Sequence, residues 1–243
     1  MKASIIIPAR NEAENITQTI HGITNEFEKE QIVHEIVVVN DGSSDETESV
    51  VRQMAEIDKR IRLINNTPPH GIGNAIKKGL DEYEGDYVII TMADSSDDPK
   101  DMVEYVRGVG KGYDCCFGTR WSGNAVVRGY PRFKLILNRT ANWIIKIFFN
   151  LAYDDVTNAF KCYSRETIEG IKPILSHHFN ITVELPLKAI VRGYSYTVVP
   201  TSWYARTRGK TNLKIKEMGS RYLFIMLYVF LERMLCRKDY RRK

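Results

Sequence analysis

The chain is poor in the features that mark secretion, membrane spanning or a metal-stapled fold. Its 243 residues contain four cysteines, Cys115, Cys116, Cys162 and Cys236, in an arrangement that matches neither a disulfide framework nor zinc spacing. Free thiols in a reducing compartment are the expectation. No apolar run approaches the ~20 residues needed to cross a bilayer. Met1-Lys2-Ala3-Ser4 leads directly into a strand pattern without the apolar core of a signal peptide, so a cytosolic location is expected. Repeats, low-complexity tracts and linker-like stretches are also missing, which predicts one domain over residues 1–243.

Charge is unevenly placed. Thr201 to Lys243 carries twelve Lys or Arg against three Asp or Glu, whereas the other 200 residues carry 23 basic and 27 acidic ones. A near-neutral body with a basic end points to an anionic ligand or surface near that end.

The informative stretch is Val88-Ile89-Ile90-Thr91-Met92-Ala93-Asp94-Ser95-Ser96-Asp97-Asp98-Pro99. A short apolar run, as in a buried strand, breaks into three carboxylates and a proline. At the carboxyl edge of an open α/β sheet such acids suit a hard cation bridging the oxygens of a diphosphate. They equally suit a polar loop in which Ser95 or Asp97 caps a helix opened by Pro99.

The same pattern recurs along the chain. Ser4–Pro8 is an apolar strand followed by Ala9-Arg10-Asn11-Glu12 and a helix to about Phe27. Glu12 suits the helix dipole, or with Asn11 it meets a ligand's hydroxyls. Glu35–Asn40 is a second strand that ends in Asp41-Gly42-Ser43-Ser44-Asp45. Ser44 or Asp45 caps the next helix, and Asp41 is left over for a ribose or base. Arg60–Ile64, Asp86–Met92 and Tyr113–Arg120 complete five strands. In His70-Gly71-Ile72-Gly73-Asn74-Ala75, two glycines before a helix allow close backbone approach to a phosphate, although the motif is neither a Walker A nor a GxGxxG sequence.

Taken together, Pro8-Ala9-Arg10-Asn11-Glu12, Val39-Asn40-Asp41-Gly42-Ser43-Ser44-Asp45, His70 to Ala75 and Ala93-Asp94 resemble the family 2 inverting glycosyltransferases. The branch they resemble most is that of the dolichyl-phosphate mannosyltransferases. Gly118-Thr119-Arg120-Trp121, the Asp155 to Arg165 segment, and Val198-Val199-Pro200 with Arg206, Gly209 and Thr211 are similar to that branch as well. The only glutamines are Gln18, Gln31 and Gln53, so the Gln-x-x-Arg-Trp motif of processive synthases is absent.

The resemblance implies a GT-A fold, a mostly parallel Rossmann-like sheet flanked by helices, with amphipathic interfacial helices at the C-terminal end. It implies a nucleotide-sugar half (1–120), an acceptor half (121–213) and a basic membrane-associating tail (214–243). Pro8, Ala9, Asn11, Glu12, Asp41, Gly71, Gly73, Ala93 and Asp94 would hold a GDP- or UDP-sugar. Asp94, with Ser96 and Asp97, would hold Mg²⁺ or Mn²⁺, and Met92 stands where the branch has a further acid. Arg120, Lys134, Arg139 and Arg206 would meet a polyprenyl phosphate, and Asp94, Arg120 and Arg206 would carry catalysis. No nucleic-acid partner is expected.

Lys134 to Tyr153 reads as a helix with one polar stripe (Lys134, Asn138, Arg139, Asn142, Lys146 and Asn150) and a very wide apolar arc. It suits either a core helix or one lying in a membrane interface. Tyr222–Leu231 is apolar and flanked by Arg221 and a basic end, which favours anionic lipid. Peripheral attachment at a cytoplasmic membrane face follows. Two other functions compete: transfer to a saccharide hydroxyl with Glu184 as base, and a degenerate nucleotide-sugar-binding module suggested by Met92.

Overall fold

The structure, a computed structural model, describes residues 1–206 and 215–242, except the side chains of 215–218 and 237. In chain order the first half comprises β1 (Ala3–Ala9), α1 (Ile16–Lys29), β2 (His34–Asn40), α2 (Thr47–Ile57), β3 (Ile61–Asn65), α3 (Ile72–Glu82), β4 (Tyr87–Ile90), α4 (Pro99–Gly110) and β5 (Cys115–Thr119). The second half comprises β6 (Val127–Arg128), α5 (Arg132–Phe149), β7 (Lys161–Ser164), α6 (Arg165–Gly170), α7 (Ile181–Val191), β8 (Tyr196–Pro200), β9 (Trp203–Tyr204), α8 (Ile215–Leu235) and α9 (Arg237–Tyr240).

Seven strands form one sheet in the order β3-β2-β1-β4-β7-β5-β8. Pairing is parallel except at β7, which runs antiparallel between β4 and β5. This is the mostly parallel α/β sheet expected. All seven residues of β1 and of β2 are buried, as a sheet covered on both faces requires. Alternate side chains feed two cores. Ile5, Ile7, Ile36 and Val38 meet α1 on one face, while Ile6, Val37 and Val39 meet α3 on the other.

β4 stops at Ile90, short of the expected Met92, because the acidic loop folds back on its end. The Asp97 carboxylate accepts from Thr91 Oγ1 at 2.9 Å and from the Met92 amide at 3.4 Å. The helix cap is Asp98, which accepts from the Lys100 amide at 3.0 Å, rather than Ser95 or Asp97.

α5 turns the middle of its polar stripe inward, while Arg139, Lys146 and Asn150 stay exposed. Asn138 and Asn142 both donate to Thr157 Oγ1, and Asn142 is 2% exposed. Trp143 is 63% exposed, and Phe133, Ile136, Ile144 and Ile147 are exposed with it. The core-helix alternative therefore fails for most of this face. α8 lies alongside, with Phe230 packed on Phe148 and Arg233 donating to the Phe149 carbonyl. It shows the same outward bias through Leu223, Phe224, Leu227 and Leu231. Among the described residues, no helix is long and apolar enough to cross a membrane. The buried Arg192–Glu232 pair, with bonds of 2.7 and 2.8 Å, ties α8 to the end of α7.

Candidate active site

At the carboxyl edge of the sheet, the loops after β1 and β2 are stitched together. The Asn11 amide donates to Ser43 Oγ, and Asn11 Oδ1 accepts from the Ser44 amide at 2.8 Å. The Glu12 amide donates to Thr47 Oγ1, and the Ala13 amide donates to Asp45. Pro8 and Ala9 are buried in register with Val39 and Asn40, and Ala93 is buried with its carbonyl bonded to Thr19. These residues shape the edge through their backbones.

Several expected ligands are engaged within the protein. Asp41 is buried and accepts from Asn66 at 2.7 Å and from the Gly71 amide at 2.9 Å, so its carboxylate secures the 66–71 loop. Gly71 and Gly73 are closely approached as well. The group that comes close to them is the protein's own backbone. A Cβ on Gly71 would lie 2.6 Å from the His177 carbonyl oxygen, and one on Gly73 would lie 2.5 Å from the His177 carbonyl carbon. Gly71 also has a φ of +154°, outside the range side chains favour.

Asp94 is 19% exposed and accepts from the Ser96 amide at 3.2 Å. Ser96 is buried, and its Oγ has no hydrogen-bond partner. Asp97 points back to the strand end instead of standing beside Asp94 as an equivalent ligand. Burial, together with the Asp94 charge, pushes its carboxyl up to about 7. The neighbouring donors are all oxygens, and one buried hydroxyl lacks a partner, a set that suits a hard divalent cation. Among the described residues, no three His, Cys, Asp or Glu side chains converge on a metal position. A cation held by Asp94 and Ser96 would therefore take its remaining ligands from a diphosphate and water.

Arg206 lies beside Glu12 and Asp94. Its Nη2 lies 2.7 Å from both Glu12 oxygens, and its Nε lies 3.8 Å from Asp94. Glu12 is thereby engaged as well. The segment carrying Arg206 is clipped to the acidic loop: β9 pairs with β6, Asp97 bridges to Trp203, and the Tyr204 amide donates to the Ser96 carbonyl at 2.9 Å.

A cavity of ≈ 460 Å³ is lined by Arg120, Trp121, Val127, Leu135 and Arg139 among others. Arg120 is engaged within the protein as well. Its Nε and Nη2 hold Asp155 at 2.8 and 2.7 Å, so it is half of a buried ion pair rather than a solvated cation. The guanidinium lies near the rings of Trp121 and Tyr130, at 5.2 and 5.6 Å. Arg139 approaches Trp121 from the cavity side at 5.2 Å and is 47% exposed. Lys134 is half-buried and is not among the lining residues. Glu184 is fully buried and accepts from the Leu175 and Ser176 amides and from Lys188 at 2.7 Å, which removes it as a candidate base. Asp155, Trp121 and Trp203 emerge as site residues that the sequence did not single out individually. The acid doublet Asp154-Asp155 after a helix was the available signal for the first.

Acids at the edge of this seven-stranded sheet, next to an arginine-lined cavity, define a glycosyltransferase of the GT-A class. The chain belongs to glycosyl transferase family 2, whose model matches residues 4–169. It is 29% identical to polyprenol monophosphomannose synthase of Mycolicibacterium smegmatis, over 86% of this chain and 80% of that protein. It is 28% identical to dolichol-phosphate mannosyltransferase of Pyrococcus furiosus, over 90% of this chain and 61% of that protein. Glycosyltransferase AglD of Haloferax volcanii is also 28% identical, over 92% of this chain, which spans only 36% of that longer protein. Among solved structures, glucosyl-3-phosphoglycerate synthase from Mycobacterium tuberculosis with Mn²⁺ and UDP-glucose shares the fold. Its TM-score is 0.69 at 18% identity, over 96% of this chain and 78% of that one.

Proposed function

We propose that the enzyme moves one sugar from a nucleoside diphosphate sugar to a polyprenyl phosphate at a membrane surface, with inversion at the anomeric carbon. The observation that carries this reading is a chain of residue contacts from the Asp94 loop, through Trp203, to a basic, aromatic cavity that α5 lines with Leu135 and Arg139 while its apolar face points outward. Trp203 packs on Tyr130 at 4.8 Å, and Tyr130 flanks Arg120.

Asp94 and Ser96 would hold Mg²⁺ or Mn²⁺, which when bound offsets the charge that develops on the leaving diphosphate. Asp155 fixes the Arg120 guanidinium, and Arg139 stands more exposed across Trp121, so the two present positive charge and N–H donors to an anion in the cavity. Trp121 Nε1 is buried without a partner and suits a phosphate oxygen. An acceptor phosphate is already anionic near neutral pH and needs no general base, which accords with Glu184 being engaged elsewhere. The exposed side chains of α5 and α8 would enter the interfacial layer while the basic residues meet anionic headgroups. The cysteines are free, three of them buried, which favours the cytoplasmic face.

The test is a panel of GDP- and UDP-sugars offered with a short polyprenyl phosphate and, separately, with soluble saccharides, read by mass spectrometry. A glycosylated polyprenyl phosphate is expected. Product on saccharides alone would overturn the reading.

A further inference from the structure

Three charged side chains meet where the donor's diphosphate would lie: Glu12, Asp94 and Arg206. All are more than four-fifths covered, at 14, 19 and 18% side-chain exposure. Arg206 Nη2 is 2.7 Å from each Glu12 oxygen, Glu12 also accepts from Asn15 at 2.8 Å, and Arg206 Nε is 3.8 Å from Asp94. The arginine does not arrive by chance rotation of a long side chain. Two residues before it, the Tyr204 amide is bonded to the Ser96 carbonyl, and the Ala205 amide donates to Arg128. The backbone carrying Arg206 is thus held in register with the loop that carries Asp94.

We infer that Arg206 is a counter-cation resident in the donor site, which a divalent cation must displace from Asp94 as it binds. Two like charges a few ångströms apart around one carboxylate repel each other, and in a partly desolvated site that repulsion is weakly screened. A cation on Asp94 and a guanidinium at its present distance are therefore competitors. Arg206 lies between the two acids while the site lacks a cation, and the metal affinity of the free enzyme is set partly by evicting it. The inference rests on Asp94 being a metal ligand, and it adds a role for the arginine that the proposed reaction does not require.

The experiment measures Mn²⁺ binding to the whole chain without nucleotide, from the electron paramagnetic resonance signal of free Mn²⁺. Arg206→Gln is expected to bind Mn²⁺ about tenfold more tightly than the parent, while Arg206→Lys, which keeps the charge, stays close to it. In the parent, saturating Mn²⁺ should speed amide hydrogen exchange across residues 203–206 as the anchor lets go. Equal or weaker Mn²⁺ affinity in Arg206→Gln overturns the inference and leaves the metal reading of Asp94 intact. Failure of every protein to bind Mn²⁺ overturns both. Should Arg206→Gln fail to fold, the parent's exchange decides, and unchanged or slower exchange overturns the inference.

Discussion

The donor edge of the sheet and the outer face of α5 and α8 treat their side chains in opposite ways. At the edge almost every acid already has a partner: Asp41 on Gly71, Asp45 on Ala13, Glu12 on Arg206, Asp155 on Arg120. On the helix face, large apolar groups such as Phe133, Ile136 and Trp143 stand exposed, while the helix spends its amides on Thr157. The loops of the first region are held in place before any ligand arrives, with Arg206 the one group the inference above requires to move. The second stands uncovered among the described residues, and contiguous exposed apolar surface marks an interaction site.

The sharpest way to break this contrast is Asp94→Asn. Loss of the acid that would hold the cation should lower transfer about 100-fold or more, measured as initial rate, while liposome binding is unchanged. Retained activity would show that the edge works without it.

Next in size is Glu232→Ala, which leaves Arg192 buried and unpaired at the joint between α7 and α8. It should cost about 3–5 kcal/mol, read from the urea midpoint. A loss below about 1 kcal/mol would mean that α8 is held by its apolar contacts alone.

Replacing Trp143 and Ile147 together by Asp probes the helix face directly. Each exposed side chain that enters the interface contributes about 1.5–3 kcal/mol, so co-sedimentation with anionic liposomes should fall steeply while nucleotide binding and folding persist. Unaltered sedimentation would assign that face to another partner.

The smallest effect lies between the two regions, at Lys161. It is buried, its ammonium donates to the carbonyls of Val156 and Thr182, and burial lowers its pKa to about 7. Between that value and the ordinary lysine range the unfolded chain binds the extra proton, so stability should rise with pH by at most about 1.4 kcal/mol per unit. Below pH 7 both states are protonated and the slope vanishes. Comparing wild type with Lys161→Met by denaturant titration at several pH values isolates this contribution.

The first three strands and the acidic edge were legible in the sequence because each is a local signal, an apolar run ended by polar turn residues. The polarity of α5 was only half legible. Its period separated Asn138 and Asn142 from Trp143 and Ile147, but no periodicity says which stripe faces the protein. Thr157, the acceptor that decides it, lies beyond the helix. Arg120 was half legible as well, because nothing near a strand-end arginine in sequence shows its partner Asp155, 35 positions later. Gly71 and Gly73 read as making room for a ligand, and the group that fills the room is about a hundred positions away.

That last contact constrains how the protein can be made. The Gly73 amide donates to the His177 carbonyl at 3.1 Å, and β7 must slot between β4 and β5 before the sheet is continuous. A ribosome releases every donor-side motif long before it releases residues 161–178. Until then the 70–74 loop has no backing and β4 shows an open edge. Contacts of such long sequence separation form late and leave strand edges exposed in the interval. The nascent first half should therefore be unable to order its 70–74 loop and prone to aggregate, and it is completed only when the second half closes over it.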